Sequence, residues 1–383
     1  MNNFVFQNPT KLIFGKESIS TAGKEIPTDK RVMLTYGGGS IKANGVYDQV
    51  KAALKDHFVV EFNGIEPNPT YETLMKAVAI VKEQKIDFLL AVGGGSVIDG
   101  TKFIATAALY PEDPWEFMIT PSKAKDALPL ATVLTLPATG SEMNNTAVIT
   151  KTATLEKLAF ATPKTFPVFS ILDPEVTYSL PKRQISNGIV DAFIHVTEQY
   201  LTFPANAMVQ DRFAEGVLST LIEVGEKIVT DNTDYNLMSN FMLSATMALN
   251  GFIAMGVPQD WATHMIGHEL TAFHGLDHAV TLAIVQPSLW RVMRNDKKDK
   301  LLQYGERVWN ITQGTEEERI EEVIVKTEDF YRSVGIKTKL NEYGIGNESF
   351  EAIVKRFAQR GWKLGERQNI TPELVHEILN GCL

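Results

Sequence analysis

Short runs of apolar and β-branched residues alternate with helical periodicity through the first part of the chain, and this alternation restricts the fold most. The runs are Val32–Tyr36, Phe58–Phe62, Phe88–Val92 and Ala131–Leu136. Between the second and third, Tyr71 to Lys85 repeats Leu74, Met75, Val78 and Val81 at the spacing of one helix face. Strands that are apolar almost throughout are covered on both sides, as in a parallel sheet. Near Leu180–Gln184, "LPKRQ", the pattern changes, and this segment reads as a hinge. Beyond it helical spacing dominates, at Gln210–Val229, Asn236–Asn250, Lys297–Trp309, Glu316–Val334, Ser349–Gln359 and Pro372–Leu379. A chain of 383 residues is too long for one ordinary core. The expected class is α/β plus all-α: a parallel α/β domain over residues 1–182, then a helical domain over 183–383.

The charge balance narrows the partners. With 37 basic and 46 acidic residues the formal net charge is −9. Nucleic acids and anionic membranes are polyanions, so neither is expected as a partner. There is one cysteine, Cys382. It rules out an intrachain disulfide and cysteine-based zinc or iron–sulfur sites, so any metal is held by His, Asp or Glu. The N-terminal residues lack the basic-then-apolar pattern of a signal peptide, and no run of eighteen apolar residues occurs. A cytoplasmic location is expected.

Three loops carry binding chemistry. "FLLAVGGGSVIDGTKFIA" reads as strand, glycine turn and helix. Glycines let a backbone pass close to a bulky anion, and a helix N-terminus offers free N–H groups. Ser96 and Asp99 form an S-x-x-D capping pattern. This is neither G-x-G-x-x-G nor a Walker A motif, and a plain tight connection remains an equal alternative. "VMLTYGGGSIK" ends a strand where an NAD enzyme often carries an acid for the ribose 2′-hydroxyl. Gly37, Gly38, Gly39 and Ser40 stand there, with Lys42 behind, so a 2′-phosphate meets donors and no carboxylate. A plain glycine turn is the competing reading. "LTLPATGSEMNN" presents Thr135, Thr139, Ser141 and Asn144, whose polar groups suit a phosphate or a carboxamide and equally suit turn chemistry.

Seven histidines occur, and four fall between His264 and His278. Asp191 and His195 sit four residues apart in "SNGIVDAFIHVTEQYL", on one face of a helix. They can chelate a cation or simply bond each other. His264 and His268 are also four apart, as are His274 and His278. Spacing alone favours His264 with His268. His264 and His278 on one continuous helix would stand about 21 Å apart, and they could share an ion only if the chain breaks, for which Gly275 offers a place.

Taken together, "GGGSVID", "PATGSE", "DAFIH" and "HMIGHELTAFHGLDHA" resemble the iron-containing, group III alcohol dehydrogenases over nearly the whole chain. "TYGGGSIK", "IEPNPTYETLMKAV" and "LLQYGERVWNIT" are similar to the NADPH-dependent butanol dehydrogenase and aldehyde reductase branch. The resemblance implies a Rossmann-like first domain and a metal-binding helical second domain. It implies Asp191, His195, His264 and His278 as ligands of one divalent ion, Fe²⁺ or Zn²⁺, reversing the spacing preference. His268 then becomes a catalytic or neighbouring group, and His274 joins a proton path. For NADP(H) it implies contacts from the loop Gly37, Gly38, Gly39 and Ser40, and from Asn68, Gly94, Gly95, Ser96 and Asp99. Further contacts are implied for Thr135, Thr139, Ser141, Asn144 and Lys157.

The implied reaction is reversible reduction of an aldehyde to a primary alcohol by hydride from NADPH, with a cation polarising the carbonyl. Phe252, Met255, Val257 and Trp261 near the ligand stretch, and Met143 near the third loop, favour apolar substrates over polyols. A homodimer is implied by the branch. A glycerol dehydrogenase, a sugar-phosphate lyase of similar fold and a non-catalytic sensor are the competing functions. The lyase calls for basic residues at a substrate phosphate, which the metal segment lacks.

Overall fold

The computed structural model describes residues 1–383. Eight strands form: β1 (Lys11–Phe14), β2 (Arg31–Tyr36), β3 (Phe58–Phe62), β4 (Phe88–Gly94), β5 (Leu130–Leu136), β6 (Thr146–Lys151), β7 (Glu156–Ala161) and β8 (Phe169–Leu172). Six of them make one parallel sheet in the order β1-β8-β5-β4-β2-β3. β6 and β7 pair as an antiparallel hairpin. The four strands expected from the sequence form the β5-β4-β2-β3 part of the sheet. β1 and β8 were not expected, and each is only four residues long. An apolar run that short carries no clear period.

Both faces of the sheet are buried, as apolar strands require. Val32, Leu34, Leu90, Val92, Val133 and Ile171 point to one side, against Ile41, Val46 and Val50. Met33, Leu89, Ala91 and Leu134 point to the other, against Leu74, Val78, Ile98 and Phe103. Alternate residues of one strand thus enter different cores, the period-two geometry of a strand. Each fully buried aliphatic side chain contributes about 1.5–3 kcal/mol.

The remaining sequence is mostly helical, with long helices at Lys182–Tyr200, Met208–Thr230, Ala262–His274, His278–Val292, Arg294–Trp309, Glu316–Ser333, Phe350–Arg360 and Pro372–Gly381. The backbone clusters into two compact units that divide at Pro181 and Lys182. Two segments depart from chain order. Met1–Phe6 belongs with the helices, and Asn232–Asn250, which contains the Tyr235–Ala248 helix, belongs with the sheet. Asn8 Nδ2 donates to the carbonyls of Met143 and Asn250 at 2.8 and 3.0 Å, and Thr246 Oγ1 donates to Glu142 Oε1 at 2.5 Å, which tie that helix to the sheet unit. No helix is long and apolar enough to cross a membrane.

Candidate functional site

In the helical unit, Asp191, His195 and Glu198 lie on one face of the Lys182–Tyr200 helix, at i, i+4 and i+7. The His-rich segment is two helices rather than one. Ala262–His274 ends on Gly275, whose φ of +67° is left-handed. Glycine adopts that conformation without penalty. His278 opens the next helix, His278–Val292, behind Asp277. Asp277 is held to the Lys182–Tyr200 helix by Arg183, through two hydrogen bonds of 2.6 Å, and by Asn187 Nδ2 at 2.8 Å. The turn and this tether carry His278 to Asp191.

Three imidazole nitrogens converge on one carboxylate oxygen. From Asp191 Oδ1, His195 Nε2 and His278 Nε2 are each 3.7 Å away, and His264 Nε2 is 4.0 Å. These separations are too long for hydrogen bonds. Two donors bound about 2.1 Å from one tetrahedral ion would stand about 3.4 Å apart, close to what is found. Asp191 is buried, and its Oδ1 has no hydrogen-bond partner. Leaving such an oxygen unsatisfied costs about 1–3 kcal/mol or more. A divalent cation at the centre of the group satisfies it, so the donor set fits a metal ion. Asp191, His195 and His264 form a potential metal site, with donor atoms within 4.8 Å of one another.

The surroundings orient these donors. His264 Nδ1 is hydrogen-bonded to Glu198 Oε2, and the Thr263 N–H donates to Glu198 Oε1 at 2.7 Å. Holding Nδ1 turns Nε2 toward Asp191, the usual carboxylate–histidine arrangement behind a metal. Burial pushes the Glu198 carboxyl well above the ordinary range, reinforced by nearby Asp260. Trp261, at the N-terminus of the Ala262–His274 helix, has φ +64°, a strained conformation for an aromatic residue. Its ring stacks edge-on to His264 at 5.3 Å between centroids. Glu198 escaped the sequence reading although its i+7 spacing from Asp191 was visible. Asp277 and Arg183 escaped it because their pairing joins distant segments.

His268 is buried, with its ring 5.2 Å from that of His278 and 6.2 Å from that of His264. His274 lies at the far end of its helix, and its Nε2 is 2.8 Å from Ser349 Oγ. Burial pulls its imidazole below the ordinary value, against an opposing effect of Glu348.

In the sheet unit, β2 and β4 are neighbours whose following segments cover opposite faces. The C-terminal ends of such a pair form the switch-point crevice where open α/β sheets bind ligands. Gly37–Ser40 follows β2 and Gly93–Ser96 follows β4, so both glycine loops stand at that point. The two loops differ physically. A Cβ on Gly38 or Gly39 would meet nothing within 4 Å. On Gly93, Gly94 or Gly95 it would lie 2.6 Å from Val97, 2.9 Å from Leu136 or 2.5 Å from Thr139. The first loop is open backbone; the second is glycine because its neighbours occupy the space.

One local expectation is corrected. The Gly95–Ala107 helix is preceded by Gly94 as N-cap, with no side-chain cap, and Ser96 and Asp99 lie inside it. β4 runs to Gly94, two residues further than the apolar pattern suggested, and the helix follows at once from Gly95, which leaves Ser96 inside its first turn. Asp99 instead accepts from Ser141 Oγ at 2.6 Å and from the Val148 N–H at 2.9 Å. Ser141 and Asn144 meet a residue the sequence reading passed over, the buried Lys102, at 2.8 and 3.0 Å. Asn68, at φ +55°, and Lys157 are joined by a 2.9 Å hydrogen bond. Thr139 packs on Gly95, and its Oγ1 accepts from the Ser141 N–H at 3.2 Å. Thr135 is buried near the end of β5.

Residues 9–174 match the family model for iron-containing alcohol dehydrogenase, and residues 185–383 match the C-terminal model of the same family. The chain belongs to the iron-containing alcohol dehydrogenase family. It is 56% identical, over 99% of both chains, to the NADPH-dependent aldehyde reductase YqhD of Escherichia coli. The crystal structure of Escherichia coli YqhD superposes with a TM-score of 0.99 at 55% identity, covering 100% of this chain and 99% of that one. A probable NADH-dependent butanol dehydrogenase of Bacillus subtilis is 43% identical over the full length of both chains. Family membership agrees with the α/β and helical parts, and makes the chain an oxidoreductase of the alcohol dehydrogenase type.

Proposed function

We propose that this enzyme is an NADP(H)-dependent alcohol dehydrogenase that reduces aldehydes to primary alcohols reversibly, with one divalent ion, Fe²⁺ or Zn²⁺, held by Asp191, His195, His264 and His278. The convergence of three imidazoles on the buried Asp191 Oδ1 carries this reading. A divalent ion in such a site acts as a Lewis acid toward a carbonyl oxygen, and the nicotinamide supplies the hydride.

The residues perform the supporting work. Asp191 is the only anionic donor of the four, so the set offsets one of the two positive charges and leaves an electrophilic centre. Glu198 fixes the direction of His264 Nε2. The nearness of His268 to the rings of His264 and His278 supports a role in handing a proton to the product oxygen. His274, bonded to Ser349, is the outer member of a path to solvent. Trp261, together with Phe252, Met255 and Val257, supports linear or aromatic substrates over polyols.

For the cofactor, the open Gly37–Ser40 loop presents no carboxylate, and Lys42 follows, which supports NADPH over NADH. The NADPH-dependent relative at 56% identity supports the same choice. We further propose a homodimer, following the branch resemblance. The test is oxidation of NADPH and NADH, measured side by side over a panel of linear, aromatic and hydroxylated aldehydes. Faster turnover with NADPH and apolar aldehydes is expected. A preference for NADH refutes the reading of the first glycine loop.

A further inference from the structure

Lys102 stands in the Gly95–Ala107 helix with no solvent exposure, and nothing in the proposed reaction uses it. Its Nζ donates to Ser141 Oγ at 2.8 Å, to Asn144 Oδ1 at 3.0 Å and to the Thr146 carbonyl at 2.8 Å. An ammonium has three donors, and all three are spent on one loop. One turn earlier, Asp99 receives the Ser141 hydroxyl and the Val148 N–H. Two residues of a single helix therefore grip the segment from Ser141 to Val148. That segment continues directly from Thr135 and Thr139, and Thr139 lies against Gly95 at the N-terminus of the same helix.

We propose that Lys102 is a positioning residue for the dinucleotide: its ammonium holds the Thr139–Thr146 loop in the shape that receives the cofactor, and Asp99, Ser141 and Asn144 act through it. This rests on the cofactor reading given above. Short loops rich in small polar residues keep one conformation only when their groups are satisfied, and a buried network does this for every member at once. Asn144 shows the arrangement most fully. Its Oδ1 accepts from Lys102 and the Thr146 N–H, while its Nδ2 donates to the Gly140 carbonyl at 2.9 Å. Little of that side chain is left to meet a ligand.

The network also carries a pH response. Burial pulls the Lys102 ammonium down to about 8, against the opposing charges of Asp99 and Glu142. Burial pushes both carboxyls up, and Lys157 acts on Asp99 in the other direction. As pH rises through about 8, Lys102 becomes an amine with two donors for three acceptors, and the loop loses part of its hold.

The experiment is NADPH binding to the full-length protein by cofactor fluorescence, from about pH 6.5 to about pH 9.5, a range that brackets the Lys102 transition. The wild type is expected to bind roughly tenfold more weakly at the alkaline end. Lys102→Met is expected to bind roughly tenfold more weakly at neutral pH and to respond little to pH. If that variant does not fold, Ser141→Ala and Asn144→Leu each remove one acceptor and are expected to weaken binding in the same direction. Equal affinity and an equal pH response in wild type and variants overturn the proposal. A wild type that binds neither NADPH nor NADH at any pH overturns the cofactor reading, and the role of Lys102 with it.

Discussion

Glu198→Ala is the perturbation with the most calculable outcome. The carboxylate is buried and bonds both His264 Nδ1 and the Thr263 N–H, so alanine removes two acceptors behind one metal donor. Removing one partner of a buried hydrogen bond costs about 1–3 kcal/mol. The ion senses this loss through the freed orientation of His264, and each 1.4 kcal/mol or so is tenfold in affinity. Metal affinity is therefore expected to fall about ten- to a hundredfold, the range usual for groups behind a metal ligand. Glu198→Gln keeps an acceptor for the Thr263 N–H and should fall between. The assay is competition of the loaded protein against a chelator, with circular dichroism as the control for folding. Folded Glu198→Ala protein that retains its ion as tightly as wild type would show that His264 is not oriented this way.

Two other outcomes follow from packing. Gly95→Ala places a methyl 2.5 Å from Thr139, whereas Gly38→Ala meets open space. The first is expected to destabilise by about 1–3 kcal/mol and weaken cofactor binding, the second to leave thermal unfolding unchanged. Equal melting curves for the two contradict the packing argument. Burial pushes the Cys382 thiol up to about 12, so it stays protonated near neutral pH. The native protein is expected to resist thiol reagents and to react once per chain after denaturation, which absorbance of the released chromophore would read.

Strands were legible where apolar or β-branched runs lasted five residues or more. β2, β4 and β5 are buried almost throughout, and β3 kept its run although it is partly exposed, while the half-buried hairpin β6–β7 left no such run. β1 and β8 have four residues each, and only their partners in the sheet make them strands. A break at Gly275 was legible as the condition under which His264 and His278, paired by the family resemblance, could share an ion, and the helix does end there. What spacing could not rank was His268 against His278. The position of His278 beside Asp191 depends on Asp277 meeting Arg183 and Asn187, residues some ninety positions away. Lys102 was hidden for the same reason. It reads as an ordinary helix residue, and its partners come from a loop about forty positions later. The S-x-x-D pattern at Ser96 misled because it matched a capping motif by composition while the helix had already begun at Gly95.

The central claim is that four side chains hold one divalent ion and that this ion is required for turnover. Elemental analysis of the purified protein tests it most directly, compared with Asp191→Ala and His278→Ala variants and paired with aldehyde-dependent NADPH oxidation. The account predicts one ion per chain in the wild type, and loss of both the ion and turnover in each variant. Wild-type metal content and rate in either variant would contradict it.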